Sequence, residues 1–225
     1  MNKIYIFLIL FLTLTLGLTT QVLAEAPNEG FYIGLSMPYV NIEGDFDGDS
    51  SNWIRDTEIE YYLYEHTAEL GQGILFGFYN ESYAFEISYS LSEHDYSWDT
   101  ISGKMRDGSE LQLLNATIKK YKYFSNNKNA VYGLIGYGTC RFSVKDNVID
   151  YNSNEIDDAT YYGSGYHLGI GWLYRINNKI ALDCSLVYQR MIMDEIKAFD
   201  IEWSLPEEVL MVNEVATVSI KYYIK

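Results

Sequence analysis

The sequence predicts an all-β protein, an eight-stranded antiparallel up-and-down transmembrane β-barrel, on three observations. Segments of strict period-two alternation recur along the chain, short and long connections between them alternate, and an apolar leader stands in front of them. Period two marks a strand with two chemically different faces, and alternating connection lengths mark a barrel with one plain and one elaborated rim. Composition agrees: of 225 residues 48% are hydrophobic and 16% aromatic, too apolar for a disordered chain. A formal net charge of −15 excludes a nucleic-acid binder held by a basic surface.

The leader comes first. Lys3, an apolar run over 4–18 and the ending Val22-Leu23-Ala24 before Glu25 predict a signal peptide over 1–24, cleaved near Ala24, with the barrel over 25–225. An uncleaved anchor is the alternative, and the apolar run is short for it. Export would place Cys140 and Cys184 where disulfides form. They fall on non-adjacent strands with opposite faces, which predicts two free thiols.

The strands follow in order. Phe31, Ile33, Leu35 and Met37 alternate with Tyr32, Gly34 and Ser36; Ile74, Phe76 and Phe78 with Gly71, Gly73 and Gly77. Over 82–93, Tyr83, Phe85, Ile87, Tyr89 and Leu91 alternate with small or polar residues, the clearest strand of all. Leu114, Ala116 and Ile118 make the fourth apolar face, and Val131, Ile135 and Tyr137 the fifth. Tyr166, Leu168, Ile170, Trp172 and Tyr174 make the sixth, Ile180, Leu182, Cys184, Leu186 and Tyr188 the seventh, and Ala216, Val218, Ile220, Tyr222 and Ile224 the eighth.

Asn80-Glu81, Ser125-Asn126-Asn127-Lys128 and Asn177-Asn178-Lys179 are read as tight turns, built from residues that tolerate positive φ. The connections over 44–66, 94–108, 143–160 and 194–211 are read as long loops. Opposed residues of an antiparallel pair share a face, so Phe76 is expected opposite Phe85 and Ile118 opposite Ile135. The turn near Asn177 must then have an odd number of residues. A soluble β-sandwich also alternates, but the glycine-rich second face fits a narrow lumen filled by small residues, with the large apolar side chains turned to lipid. Tyr121, Tyr123, Tyr161, Tyr162, Tyr222 and Tyr223 are expected in interfacial girdles.

Gly30-Phe31-Tyr32-Ile33-Gly34-Leu35, the run Val131-Tyr132-Gly133-Leu134-Ile135-Gly136-Tyr137-Gly138 and the run Gly165-Tyr166-His167-Leu168-Gly169-Ile170-Gly171-Trp172 resemble the small eight-stranded outer-membrane barrels of the OmpA-like and opacity-like superfamily. The resemblance covers 30–225. It implies the bacterial outer membrane, short turns on the periplasmic side and acidic loops outside. The implied partners are outer-membrane lipid, lipopolysaccharide, the barrel assembly machinery and an extracellular ligand or host surface, with no nucleic acid. That machinery reads a terminal aromatic residue in such proteins; here Tyr222 and Tyr223 precede Ile224 and Lys225.

Inward charges in a filled lumen must pair. Glu86 with Lys119, Arg175 diagonally with Asp183, and Lys221 within reach of Asp183 are expected to form a charge network plugging the lumen; a gated ion or proton path is the alternative. His167 is expected as a hydrogen-bonded plug residue. Lipid-modifying enzymes of this scaffold, the alternative from the resemblance, need a Ser activated by a His on the lipid face. The histidines are His66, His94 and His167 and none stands as His-x-Ser, so no catalytic residue is expected. Asp47, Asp49, Ser51 and Glu58 have the one, three, five, twelve spacing of a calcium loop, but Asn52 replaces its glycine, so a solvated acidic loop is expected before a bound calcium ion. The expected function is structural or surface interaction through acidic loops, without enzymatic activity and without a cofactor; a narrow channel or porin for small solutes is the alternative.

Overall fold

In the computed structural model the described residues are 29–46, 50–54, 57–100, 103–124 and 128–224. They form β1 (Glu29–Gly44), β2 (Ser50–Trp53), β3 (Ile59–Leu63), β4 (Glu69–Asn80), β5 (Tyr83–Thr100), β6 (Gly103–Tyr123), β7 (Asn129–Asp150), β8 (Glu155–Arg175), β9 (Ile180–Ala198) and β10 (Ile201–Ile224). β1 and β4 to β10 are the eight expected strands. Each pairs antiparallel with its sequence neighbour among them, and β10 pairs back on β1. The ring is closed, so backbone donors and acceptors are satisfied within it, as a hydrocarbon environment demands.

The faces follow the alternation. Phe31, Ile33, Leu35 and Met37 are exposed on the outer wall, and so are Phe76, Phe85, Ile87, Ile118, Ile135, Leu168, Ile170, Leu186 and Ile220 on the other strands. In water such a continuous apolar belt would be a liability; in a bilayer it is the solvated surface. Tyr137 pairs with Tyr166 at its upper limit, and the row above, Gln112, Arg141, Tyr162 and Glu195, is polar.

Four expectations are corrected. First, the long loops are largely strand. β5 with β6, β7 with β8, and β9 with β10 stay paired as tall hairpins through most of 94–108, 143–160 and 194–211. The first connection holds the small β2–β3 hairpin, which joins the barrel where Ile59 pairs with Asp150. These hairpins keep an apolar inner face after their outer face has turned polar: Leu111, Phe142, Val144, Met193 and Ile196 point in. The hairpin of β9 and β10 closes through Phe199 and Asp200, at φ of 48° and 58°, the positive pair a two-residue turn requires.

Second, the turn between β4 and β5 is longer than Asn80-Glu81. Phe78 pairs with Phe85 and Phe76 with Ile87, a slip of two that preserves every face. Asn80 Oδ1 accepts from the backbone N–H of Ser82 and Tyr83 at 3.1 and 2.9 Å, and this Asx turn fixes the longer closure. Asn177 Oδ1 does the same for Lys179 and Ile180 at 2.8 and 2.9 Å, in the expected odd-numbered turn. Ile118 does pair with Ile135. Of the turn at 125–128, residues 125–127 lie outside the described residues, as does the leader over 1–24.

Third, Tyr121, Tyr161 and Tyr223 are buried inside rather than set in girdles, because they share the parity of the inward Lys119, Gly163 and Lys221. Fourth, the lumen is not filled mainly by small residues. Tyr32, Tyr79, Tyr121, Tyr132 and Tyr223 form an aromatic layer at the turn end. Phe46, Ile54, Tyr61, Phe142, Tyr161, Met193 and Met211 belong to a larger apolar layer at the hairpin end. The glycines make room for this: a Cβ on Gly77 would strike the Tyr32 ring, and one on Gly171 the Tyr132 ring, each glycine being the cross-strand partner of the tyrosine it accommodates. Cys140 and Cys184 are both free thiols, and Cys140 Sγ lies 3.4 Å from Met193 Sδ.

Candidate functional site in the barrel lumen

Between the two apolar layers four charges converge from opposite walls. Glu86 on β5 and Lys119 on β6 face Asp183 on β9 and Lys221 on β10 across the barrel. Lys119 Nζ is 2.9 Å from Glu86 and 3.5 Å from Asp183; Lys221 Nζ is 2.7 Å from Glu86 and 2.6 Å from Asp183. Two ammoniums and two carboxylates alternate, so the set is neutral when all are ionised. That is the condition under which buried ions are tolerated. The Tyr32 hydroxyl donates to Glu86 at 2.9 Å and the Tyr132 hydroxyl to Asp183. The two lysines also stand over those rings, Lys221 at 4.5 Å from the Tyr32 centroid and Lys119 at 5.0 Å from that of Tyr132.

The other two members of the expected network sit apart. His167 shares a 2.9 Å hydrogen bond with Thr117 through Nε2, and its buried Nδ1 has no partner among the described residues. Arg175 does not reach Asp183. Its guanidinium donates to the Tyr123 hydroxyl at 2.9 Å and stacks between Tyr123 and Tyr223, at 5.0 and 5.6 Å from their centroids. Lys119 and Lys221 already occupy Asp183, and the two aromatic faces hold the planar cation one layer lower.

Above the charges lies a cavity of about 80 Å³, lined by Ser36, Ser88, Ser90, Thr117, Ser185, Thr217 and Ser219 with His167 and Gln189. At about 10–15 Å³ each it admits a handful of water molecules. Gln189 donates to Asn115 at 2.8 Å and accepts from Asn213 at 3.3 Å, crossing the lumen beneath the hairpin-end layer.

A second polar group, not anticipated from the sequence, lies at the hairpin end. Residues 64–68 fold into the mouth of the barrel. His66 Nδ1 is 3.0 Å from Ser109 Oγ, the Thr67 amide donates to the Asp95 carbonyl at 2.8 Å, and Thr67 O lies 2.8 Å from His94 Nδ1. His94 Nε2 is in turn 2.8 Å from Ser92 Oγ. A Ser and His within hydrogen-bonding reach is what an acyl-transfer site needs, and the Ser-x-His spacing on one strand face was the signal for it. Both side chains are inside the barrel, however, buried under 64–68 and away from lipid. His66 is enclosed by Phe46, Tyr96 and Phe142. Burial, with the nearby His94 adding to it, pulls its pKa from 6.5 down to about 3.

Of the calcium-loop residues, Asp47 and Asp49 lie outside the described residues. Ser51 donates to Glu60 at 2.6 Å, and the Glu58 carbonyl accepts from the Tyr151 amide at 3.0 Å. Glu60 gathers further hydroxyl bonds from Tyr62 and Tyr151, at 2.8 and 2.7 Å, which tie the β2–β3 hairpin to the tip of β7. Burial raises the Glu60 pKa, and the three hydroxyls more than offset it, holding the carboxyl below its usual range. Among the described residues no group of three or more His, Cys, Asp or Glu side chains is placed to hold a metal ion.

A closed antiparallel ring with an apolar outer belt and an ion-paired interior defines a bacterial outer-membrane β-barrel protein. The family model for the outer membrane protein beta-barrel domain matches residues 10–205, and the chain belongs to that family. Among solved structures it is similar to the outer membrane protein OprG from Pseudomonas aeruginosa, with 12% identity and a TM-score of 0.57 over 91% of this chain and 99% of that one. It is also similar to Neisserial surface protein A, with 11% identity and a TM-score of 0.50 over 88% and 100%. At these identities the likeness is one of fold. The comparison with curated protein sequences gave no significant match.

Proposed function

We propose that this outer-membrane barrel works at its outer surface rather than through its lumen, as a non-enzymatic protein supporting the membrane and making contacts through its acidic hairpins. The observation that carries this reading is the filled interior: an aromatic layer, the four-charge cluster and an apolar layer lie one above another. The hairpins supply the chemistry of the surface. Asp150, Glu155, Asp158, Glu195, Glu202, Glu207 and Glu208 stand on β7 to β10 beyond the apolar belt, and such a field attracts cationic partners with a strength that salt screens. Ser92 and His94 are closed off from substrate, which supports reading them as structural. The signal peptide over 1–24 belongs to the same reading, as the export route.

The test compares intact cells displaying the wild-type protein with cells displaying a variant carrying Asp150→Asn, Glu155→Gln, Asp158→Asn, Glu207→Gln and Glu208→Gln, in adhesion to a polylysine-coated surface at low and physiological salt. Weaker, less salt-sensitive adhesion of the variant is expected. Equal adhesion by folded, equally displayed proteins would contradict a role for the hairpin charges.

A further inference from the structure

We propose that the outer face of the β2–β3 hairpin carries a binding platform for the guanidinium group of an arginine in a basic polypeptide. This rests on the reading of the acidic hairpins as a contact surface, and it specifies where the contact is made and with what chemistry. Register builds the platform. Trp53 is opposed to Glu60, Glu60 to Ile149 and Ile149 to Ile156, so a single row crosses β2, β3, β7 and β8, and opposed residues share a face. Tyr61 and Val148, the neighbours of Glu60 and Ile149 along their strands, are fully buried inside, which turns the row outward. It lies about 25 Å along β7 from the polar row at Arg141, clear of the bilayer.

An outer face at that height meets water, yet Trp53, Tyr151 and Ile156 are 45, 49 and 59% exposed. A contiguous aromatic and aliphatic surface in water marks a contact site. The Trp53 and Tyr151 rings lie 5.3 Å apart between centroids with their planes 30° apart, so each covers one face of the other and leaves one open. Both are anchored: the Tyr151 hydroxyl donates to Glu60, and the Trp53 amide donates to the Asn52 side chain at 2.8 Å.

The surrounding charges choose the occupant. Glu60 sits beside the rings, Glu58 and Glu155 are exposed next to the row, and Asp158 is exposed two places along β8 from Ile156. Among the described residues no lysine or arginine stands over either ring. Such a field repels an anion and gives a neutral ligand nothing, whereas a cation gains from the field and from the ring faces alike. Ser51, Tyr62 and Tyr151 already donate to Glu60, which occupies most of its lone pairs. Neither a bidentate fork nor the three acceptors an ammonium seeks is therefore on offer. A flat, weakly hydrated guanidinium needs neither, because it stacks. Arg175 is held in that way inside this same barrel, between the rings of Tyr123 and Tyr223.

The test is fluorescence anisotropy of the folded barrel in neutral detergent at physiological salt, titrated against two dye-labelled peptides of equal length and charge, one alternating glycine with arginine and the other glycine with lysine. The arginine peptide should bind roughly fivefold tighter, the worth of one stacked guanidinium. Trp53→Leu with Tyr151→Leu keeps every charge and should bring that ratio to about one, leaving the lysine peptide within about twofold of its wild-type affinity. Glu60→Gln, which keeps both rings, should weaken both peptides and preserve the ratio; heat-modifiable gel mobility shows that each variant is folded. An arginine preference that survives loss of the rings would overturn the proposal. Equal, salt-sensitive binding of both peptides to the wild type would overturn it and leave the acidic-hairpin reading standing, whereas no binding of either, even at low salt, would overturn both. Self-association of the barrel that the double leucine variant abolishes, without an arginine preference, would make a second copy the occupant and overturn it as well.

Discussion

Lys221, fully enclosed and held by two carboxylates at 2.6 and 2.7 Å, carries the interior charge balance. Lys221→Met leaves two buried carboxylates facing one ammonium and should cost about 3–5 kcal/mol. Adding Asp183→Asn restores neutrality and should recover more than half of the loss, read from urea unfolding midpoints of folded and unfolded gel bands. Additive losses in the double variant would mean that the two groups do not act as one set. The inward parity of Glu86, Lys119, Asp183 and Lys221 was legible in the sequence, since period two fixes the face of every strand residue. The lysines' choice among carboxylates was not, because a long side chain reaches several rows and the aromatic faces of Tyr123 and Tyr223 competed for Arg175. The tyrosine hydroxyls on Glu86 and Asp183 were hidden for a related reason. Gly77 and Gly171 read as generic small residues until their cross-strand tyrosines were known.

At the scale of the strand and hairpin, the apolar alternation gave the eight barrel strands and the odd-numbered turn at Asn177. The heights of the hairpins were missed because outer faces turn polar above the membrane while pairing continues, so composition reads as loop where the backbone remains strand. Ile170 is two-thirds exposed in the middle of the belt. Ile170→Asp would hold a charge in hydrocarbon, at a cost below the about 2–4 kcal/mol of a midplane Arg or Lys, and should prevent assembly; a normally heat-modifiable barrel from that variant would contradict the lipid-facing assignment. The segment 64–68 gives a pH prediction. His66 has a folded pKa of about 3 against an ordinary 6.5, so the unfolded chain takes up its proton first. Stability is therefore full above pH 6.5 and falls as the pH drops towards 3. His66→Phe, which suits the cage of Phe46, Tyr96 and Phe142, should flatten the fall between pH 6.5 and 5, measured by unfolding midpoints across that window. An unchanged slope would place the titrating group elsewhere.

At the scale of the whole molecule, two features combine: a ring of strands without an edge, which makes the protein a membrane component, and a packed interior, on which the proposed role at the outer surface rests. The sequence made the first plain through alternation and connection lengths. It left the second open between plug and path, because pairing across a lumen depends on which walls face each other, and only ring closure brings β5 and β6 opposite β9 and β10. The most direct measurement of the closed lumen is single-channel conductance of the refolded protein in a planar bilayer. Protein shown to be folded should give no reproducible current steps, because three filled layers separate the two mouths. Stable, uniform steps from the wild-type barrel would contradict the account and make it a narrow channel.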